Sequence, residues 1–118
     1  CIGETLNEKR NKKTNQVLAK QINNGLKSIK NKSNIIIAYE PVWSIGTGLI
    51  PKSEDLLKSV SFIKNQFSKK PPKILYGGSV NANNIAELKD INIIDGFLVG
   101  GASQTSKKFI DIIKKTFN

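Results

Sequence analysis

Residues 35–48 read Ile35-Ile36-Ile37-Ala38-Tyr39-Glu40-Pro41-Val42-Trp43-Ser44-Ile45-Gly46-Thr47-Gly48. The first five are apolar without interruption and rich in β-branched side chains. That is the pattern of a parallel strand covered on both faces, not the alternation of a half-solvated one. Glu40 then sets a carboxylate at the strand's C-terminal end. The connection that follows, Pro41 to Gly48, carries Val, Trp and Ile where a solvated loop would be polar. Such a loop has to bury those side chains against something, while Gly46 and Gly48 let its backbone approach a ligand closely. A mobile lid and a loop packed permanently into the core both satisfy this composition.

Parallel strands need crossover connections, and the flanking sequence has the pattern for them. Upstream, Cys1-Ile2-Gly3-Glu4 reads as the tail of a strand entering a loop. After a polar segment, Leu18, Ile22, Leu26 and Ile29 fall on one face of a helix predicted near residues 15–30. Downstream, Ser53 is the predicted N-cap of a helix with Glu54 and Asp55 in its first turn and Leu56, Val60, Ile63 and Phe67 along one face. Pro71-Pro72 closes the linker, and Lys73–Tyr76 is the next predicted strand. A short helix follows near residues 83–89, around Ile85 and Leu88. Phe97–Val99 is the last predicted strand, and Phe109, Ile110, Ile113 and Phe117 stripe a final amphipathic helix. The whole chain, residues 1–118, is thus expected to form four βα units of one domain, with the strand at 35–39 between Cys1–Gly3 and Ile74–Tyr76. An open doubly wound sheet and half of a (β/α)8 barrel both fit, and the pattern alone does not choose between them.

Composition narrows the partners. There are 19 Lys+Arg against 9 Asp+Glu, a formal net charge of +10. Arg10 is the only arginine, and the lysines are scattered along predicted helices and linkers, whereas bidentate readout of bases and phosphates draws on Arg. A solvated lysine surface is predicted, with no nucleic-acid partner. The single cysteine cannot form an internal disulfide, no apolar run is long enough to span a membrane, and no signal-peptide pattern is present. The predicted compartment is the cytoplasm. Residue 1 is Cys rather than Met, and the sequence opens on a strand end, which suggests a piece of a longer protein.

Three loops at strand C-terminal ends carry the candidate chemistry, because that is the end where α/β folds build their sites. Glu40 is set where an apolar strand desolvates it, a placement that suits a general base; capping a helix or pairing with a cation would also account for it. Gly77-Gly78-Ser79 and Gly100-Gly101 each follow a predicted strand. Backbone N–H groups freed there could cradle a phosphate, although Gly-Gly pairs are also common in ordinary turns.

The segment Ala38–Gly48, then Tyr76-Gly77-Gly78-Ser79-Val80, then Asp95-Gly96-Phe97-Leu98-Val99-Gly100-Gly101-Ala102-Ser103 resemble the triosephosphate isomerase family in sequence, order and spacing. Cys1-Ile2-Gly3-Glu4 is similar to the end of that family's fifth strand. The resemblance implies the C-terminal half of a (β/α)8 TIM barrel, with parallel strands and outer helices. It implies that Glu40 is the catalytic base interconverting dihydroxyacetone phosphate and glyceraldehyde 3-phosphate through an enediolate. It implies that residues 41–48 are a lid, and that the backbone N–H groups of Gly46, Ser79, Gly100 and Gly101 grip the phosphate. A small triose phosphate is the implied substrate. No metal or organic cofactor is implied, and the complete enzyme is expected to be a homodimer.

Two departures bear on activity. The family also uses a lysine and a histidine from its first four βα units, and this chain has no histidine. The chain alone is therefore expected to be inactive, and a catalytically silent remnant that binds at most phosphate or a protein is the alternative reading. In many relatives the tyrosine matching Tyr76 bonds to the backbone N–H at the position of Pro51, which has none. Tyr76 is expected either to find another partner or to lose that contribution to closure.

Overall fold

The computed structural model describes all of residues 1–118. In chain order it contains α1 (Leu6–Arg10), α2 (Thr14–Leu26), β1 (Ile36–Tyr39), α3 (Ser53–Asn65), β2 (Lys73–Gly78), α4 (Ile85–Lys89), β3 (Gly96–Val99) and α5 (Ser106–Phe117), with short 3-10 turns at Val42–Ser44 and Gly101–Gln104. The strands form one parallel sheet in the sequential order β1-β2-β3. A reversed order with a switch point, the mark of an open nucleotide-binding sheet, is absent. The predicted first strand is reduced to a single parallel bridge, Ile2 to Tyr39, so the sheet has three strands rather than four. That bridge lies on the predicted side: Ile2 N–H donates to Ala38 at 2.9 Å, and Glu40 N–H donates to Ile2 at 2.8 Å.

Register builds the core. Ile37 pairs with Ile74 and Tyr39 with Tyr76, and because side chains alternate along a strand these four share one face. Leu18 and Ile22 of α2 and Leu56, Val60 and Ile63 of α3 join them in one buried cluster. The opposite face is less covered than an uninterrupted apolar run suggests: Ile36 is 61% exposed.

Several boundaries differ from those predicted. Helix α2 ends at Leu26, leaving Ile29 outside and exposed, and α3 ends before Phe67. Ser53 is the first residue of α3 rather than its cap; Lys52 occupies the cap, and the Ser53 hydroxyl donates instead to Glu87 on α4. In α5 the predicted stripe of Phe109, Ile110, Ile113 and Phe117 is exposed, and Ile112 is the residue that enters the core. The helix is turned so that only the margin of its apolar arc meets α4. Nothing in this chain covers the centre of that arc.

Candidate active site

Glu40 leaves the end of β1 half-buried and wedged between two glycines. A Cβ on Gly3 would lie 1.8 Å from the Glu40 carbonyl oxygen, and one on Gly77 would lie 2.5 Å from Glu40 Cγ and 2.9 Å from Cδ. The backbone of Glu40 thus needs a hydrogen at position 3, and its side chain needs one at position 77. Together these lay the carboxylate across the end of β2.

The loop after Glu40 is anchored through Trp43, Ser44 and Gly48, but Val42 and Ile45, expected to be buried, stay about half exposed because nothing in this chain lies over the loop tip. Its first half docks on a buried carboxylate: Glu4 is 1% exposed and accepts from the Tyr39 hydroxyl at 3.1 Å to each oxygen, with longer contacts of 3.4 Å from the Trp43 indole N–H and the Thr14 hydroxyl. Lys9 of α1 sits 3.9 Å above the Trp43 ring, a cation–π contact. Burial pushes the Tyr39 phenol far above the ordinary tyrosine range; the Ser59 hydrogen bond offsets part of this, and the charge of Glu4 adds to it. Helix α1 escaped the sequence reading, although Thr5-Leu6-Asn7-Glu8 spells a capping box. Both of its hydrogen bonds form, Glu8 N–H to the Thr5 hydroxyl and Thr5 N–H to the Glu8 carboxylate.

The second half of the loop docks on the end of β2. Gly48 N–H donates to Ser79 Oγ at 2.8 Å, and Ser79 Oγ donates to the Ser44 carbonyl at 2.7 Å. Tyr76 finds its partner in Ser44, with 2.9 Å between the two hydroxyl oxygens, rather than at position 51. Burial raises the Tyr76 phenol above its ordinary pKa, and the hydrogen bond to Ser44 works against that.

The residues predicted to grip phosphate occupy the same rim. Gly46 is the exposed tip of the loop, Ser79 anchors the loop's end, and Gly100 and Gly101 follow β3, whose Val99 pairs with Gly78. The backbone N–H groups of Gly46, Ser79 and Gly100 donate to no acceptor within the chain. Gly101 opens a 3-10 turn, whose first N–H groups have no partner inside the turn. Glu40, the loop and the Ser79 turn are in mutual contact, whereas Gly100 and Gly101 are brought near only by the pairing of β2 with β3. Free N–H donors of this kind suit an oxyanion, and the carboxylate beside them suits proton abstraction. No cluster of His, Cys, Asp or Glu is arranged to hold a metal ion, and no helix is long and apolar enough to cross a membrane.

A family model described as triosephosphate isomerase matches residues 1–116. Curated relatives carrying that description include one from Thermodesulfovibrio yellowstonii, 44% identical over 97% of this chain and 49% of its own length. Another is from Debaryomyces hansenii, 46% identical over 97% of this chain and 48% of its own, and a third from Saccharomyces cerevisiae, 45% identical over 96% and 48%. The chain spans about half the length of the curated relatives it matches.

Proposed function

The chain belongs to the triosephosphate isomerase family, and from that premise we propose that it is the C-terminal half of a (β/α)8 barrel whose complete form interconverts dihydroxyacetone phosphate and glyceraldehyde 3-phosphate. Assignment to that half rests on motif order: a carboxylate-led loop after one strand, then two glycine-rich turns after the next two. Phosphate sites of such barrels are built from the loops after their last strands.

In this reading Glu40 takes a proton from the carbon beside the substrate carbonyl and returns it to the neighbouring carbon. The N–H groups of Gly46, Ser79, Gly100 and Gly101 hold the phosphate. The loop 41–48 covers the substrate and excludes water, so the enediolate does not lose phosphate. The placement of Glu40 carries the proposal, because its side chain lies over Gly77 on the rim where the loop and the Ser79 turn meet. Charge building on the enediolate oxygen needs an electrophile, and a chain without histidine has to receive it from the other half of the barrel. The complete enzyme is a glycolytic isomerase, needs no metal or organic cofactor, acts in the cytoplasm and is a homodimer.

A coupled isomerase assay tests this in two preparations. The 118-residue chain alone is expected to show no turnover, and mixing it with a separately made N-terminal half is expected to restore some. In the complete enzyme, Glu40→Gln keeps the side chain's size but not its basicity, so kcat is expected to fall at least about a hundredfold while phosphate binding survives. Isomerisation by the chain alone that vanishes on Glu40→Gln would show that the missing half is dispensable. A complete enzyme indifferent to Glu40→Gln would remove the base.

A further inference from the structure

Ser44 is fully buried and lies where three segments of the rim meet. Its hydroxyl has one hydrogen, which goes to the Leu49 carbonyl at the far end of the loop. The 2.9 Å contact with Tyr76, also fully buried, is then made by the phenol donating to Ser44 Oγ. A directed chain results: Tyr76 O–H to Ser44 O–H to Leu49 C=O. A second chain runs beside it, from Gly48 N–H to Ser79 Oγ to the Ser44 carbonyl. Ser44 belongs to both, through its side chain in one and its backbone in the other. Gly78 closes the pair from a further side, since a Cβ there would lie 2.6 Å from the Tyr76 hydroxyl and 2.7 Å from Ser44 Oγ. The two hydroxyls are fully buried and have no water as a substitute partner, and they tie the end of β2 to the exposed far end of the loop at Gly48 and Leu49.

We propose that Ser44, through this relay with Tyr76, is a positioning residue that keeps residues 41–49 docked on β2 and thereby sets the affinity of the rim for a phosphate group. Only the second clause rests on the phosphate reading above; the docking does not. Removing either hydroxyl breaks the same chain, so the two removals are not additive.

The test uses the 118-residue chain, with amide hydrogen exchange as the readout. Ser44→Ala and Tyr76→Phe are each expected to speed exchange at Gly48 N–H about tenfold, which corresponds to about 1.4 kcal/mol of lost docking. The double variant is expected to be no faster than either single one, with Val60 and Ile63 in α3 unchanged. Equal acceleration in α3 would mean general destabilisation and would overturn the proposal, as would Gly48 exchange unaffected by both variants. Titration with inorganic phosphate separates the two clauses. Protection of Gly48 in the unsubstituted chain, weakened about tenfold in Ser44→Ala, supports both. No phosphate protection with the exchange effects intact overturns the phosphate clause and leaves the relay standing, whereas the reading beneath it fails on the Glu40→Gln assay of the complete enzyme.

Discussion

Replacing Gly77 by Ala tests how Glu40 is aimed. The new Cβ would lie 2.5 Å from Glu40 Cγ, 2.9 Å from Cδ and 3.3 Å from Oε2. Non-bonded carbons settle at about 3.5–4.0 Å, so the side chain has to retreat by about 1 Å. The backbone cannot do this for it, because Glu40 N–H is tied to Ile2 at 2.8 Å and its carbonyl sits against Gly3. The movement falls on the side-chain torsions, at roughly 0.5–1.5 kcal/mol if Glu40 is driven off a rotamer well. A displacement of about 1 Å at a reacting group can cost on the order of a hundredfold in rate, about 2.7 kcal/mol of barrier. In the complete enzyme, kcat for dihydroxyacetone phosphate is therefore expected to fall about a hundredfold while KM changes little, since none of the N–H groups assigned to phosphate is touched. The measurement is a coupled steady-state assay beside a thermal melt. A folded Gly77→Ala enzyme with kcat within about twofold of the unsubstituted one would refute the argument that glycine at 77 aims the base.

Gly3→Ala meets backbone rather than a flexible side chain, at 1.8 Å from the Glu40 carbonyl. It is expected to destabilise the fold by about 3 kcal/mol, more than Gly77→Ala, and urea denaturation of the two variants ranks them. Asp95 links β2 to α3 and β3. Burial opposes its charge, but the Ile74 N–H at 2.8 Å, Lys64 at 3.2 Å and the nearby Lys73 outweigh that and hold its pKa below the ordinary value. A depressed folded pKa contributes stability that is present above the unfolded pKa of about 4 and lost as pH falls through the folded one. Asp95→Asn is expected to flatten that part of the acid limb, and an unchanged slope in denaturant midpoints against pH would count against it. Tyr39 and Tyr76 shift the other way: burial keeps both protonated in the fold, while in the unfolded chain they ionise near pH 10. Stability is therefore expected to fall as pH rises above about 10, and Tyr76→Phe to soften the decline; a limb of unaltered steepness would refute it.

What was legible in the sequence depended on how far apart the cooperating residues stand. The run from Ile35 to Tyr39 and the glycine-rich turns carry local signals, so the parallel strands and the loops after them were readable in order. The Glu4 site was not. Its carboxylate gathers Tyr39 and Trp43 from 35 and 39 residues away, and no short window contains that relation. Helix α1 did have a local signal, the Thr5–Glu8 capping box, which a search for apolar periodicity passes over because α1 buries no residue. Ser53 shows the converse failure. A good capping residue lies one position inside the helix, and its hydroxyl donates to Glu87, 34 residues on, a partner no short window reveals. The α5 stripe was real as a pattern, but periodicity marks an apolar face without saying what covers it.

Around Glu40 the buried side-chain polar groups are satisfied, whereas the backbone N–H groups of Gly46, Ser79 and Gly100 and the exposed apolar faces are not. Around Glu40 the polar groups form closed networks made entirely of the chain's own residues: Glu4 with Tyr39 and Trp43, Ser44 with Tyr76 and Leu49, Ser79 with Gly48. No buried side-chain nitrogen or oxygen lacks a partner. Apart from those backbone N–H groups, what remains open is apolar or at an edge. Phe109, Ile110 and Ile113 on α5 are exposed, as are Ile36 and Leu98 on the sheet, and β3 pairs on one side only. Exposed apolar faces and free strand edges drive association, whereas satisfied polar networks resist rearrangement. A second half-barrel docking on those faces would therefore gain its stability from α5 and the sheet edges. On the proposed reading it would meet Glu40 and the loop on the rim and would bring the electrophilic groups this chain lacks.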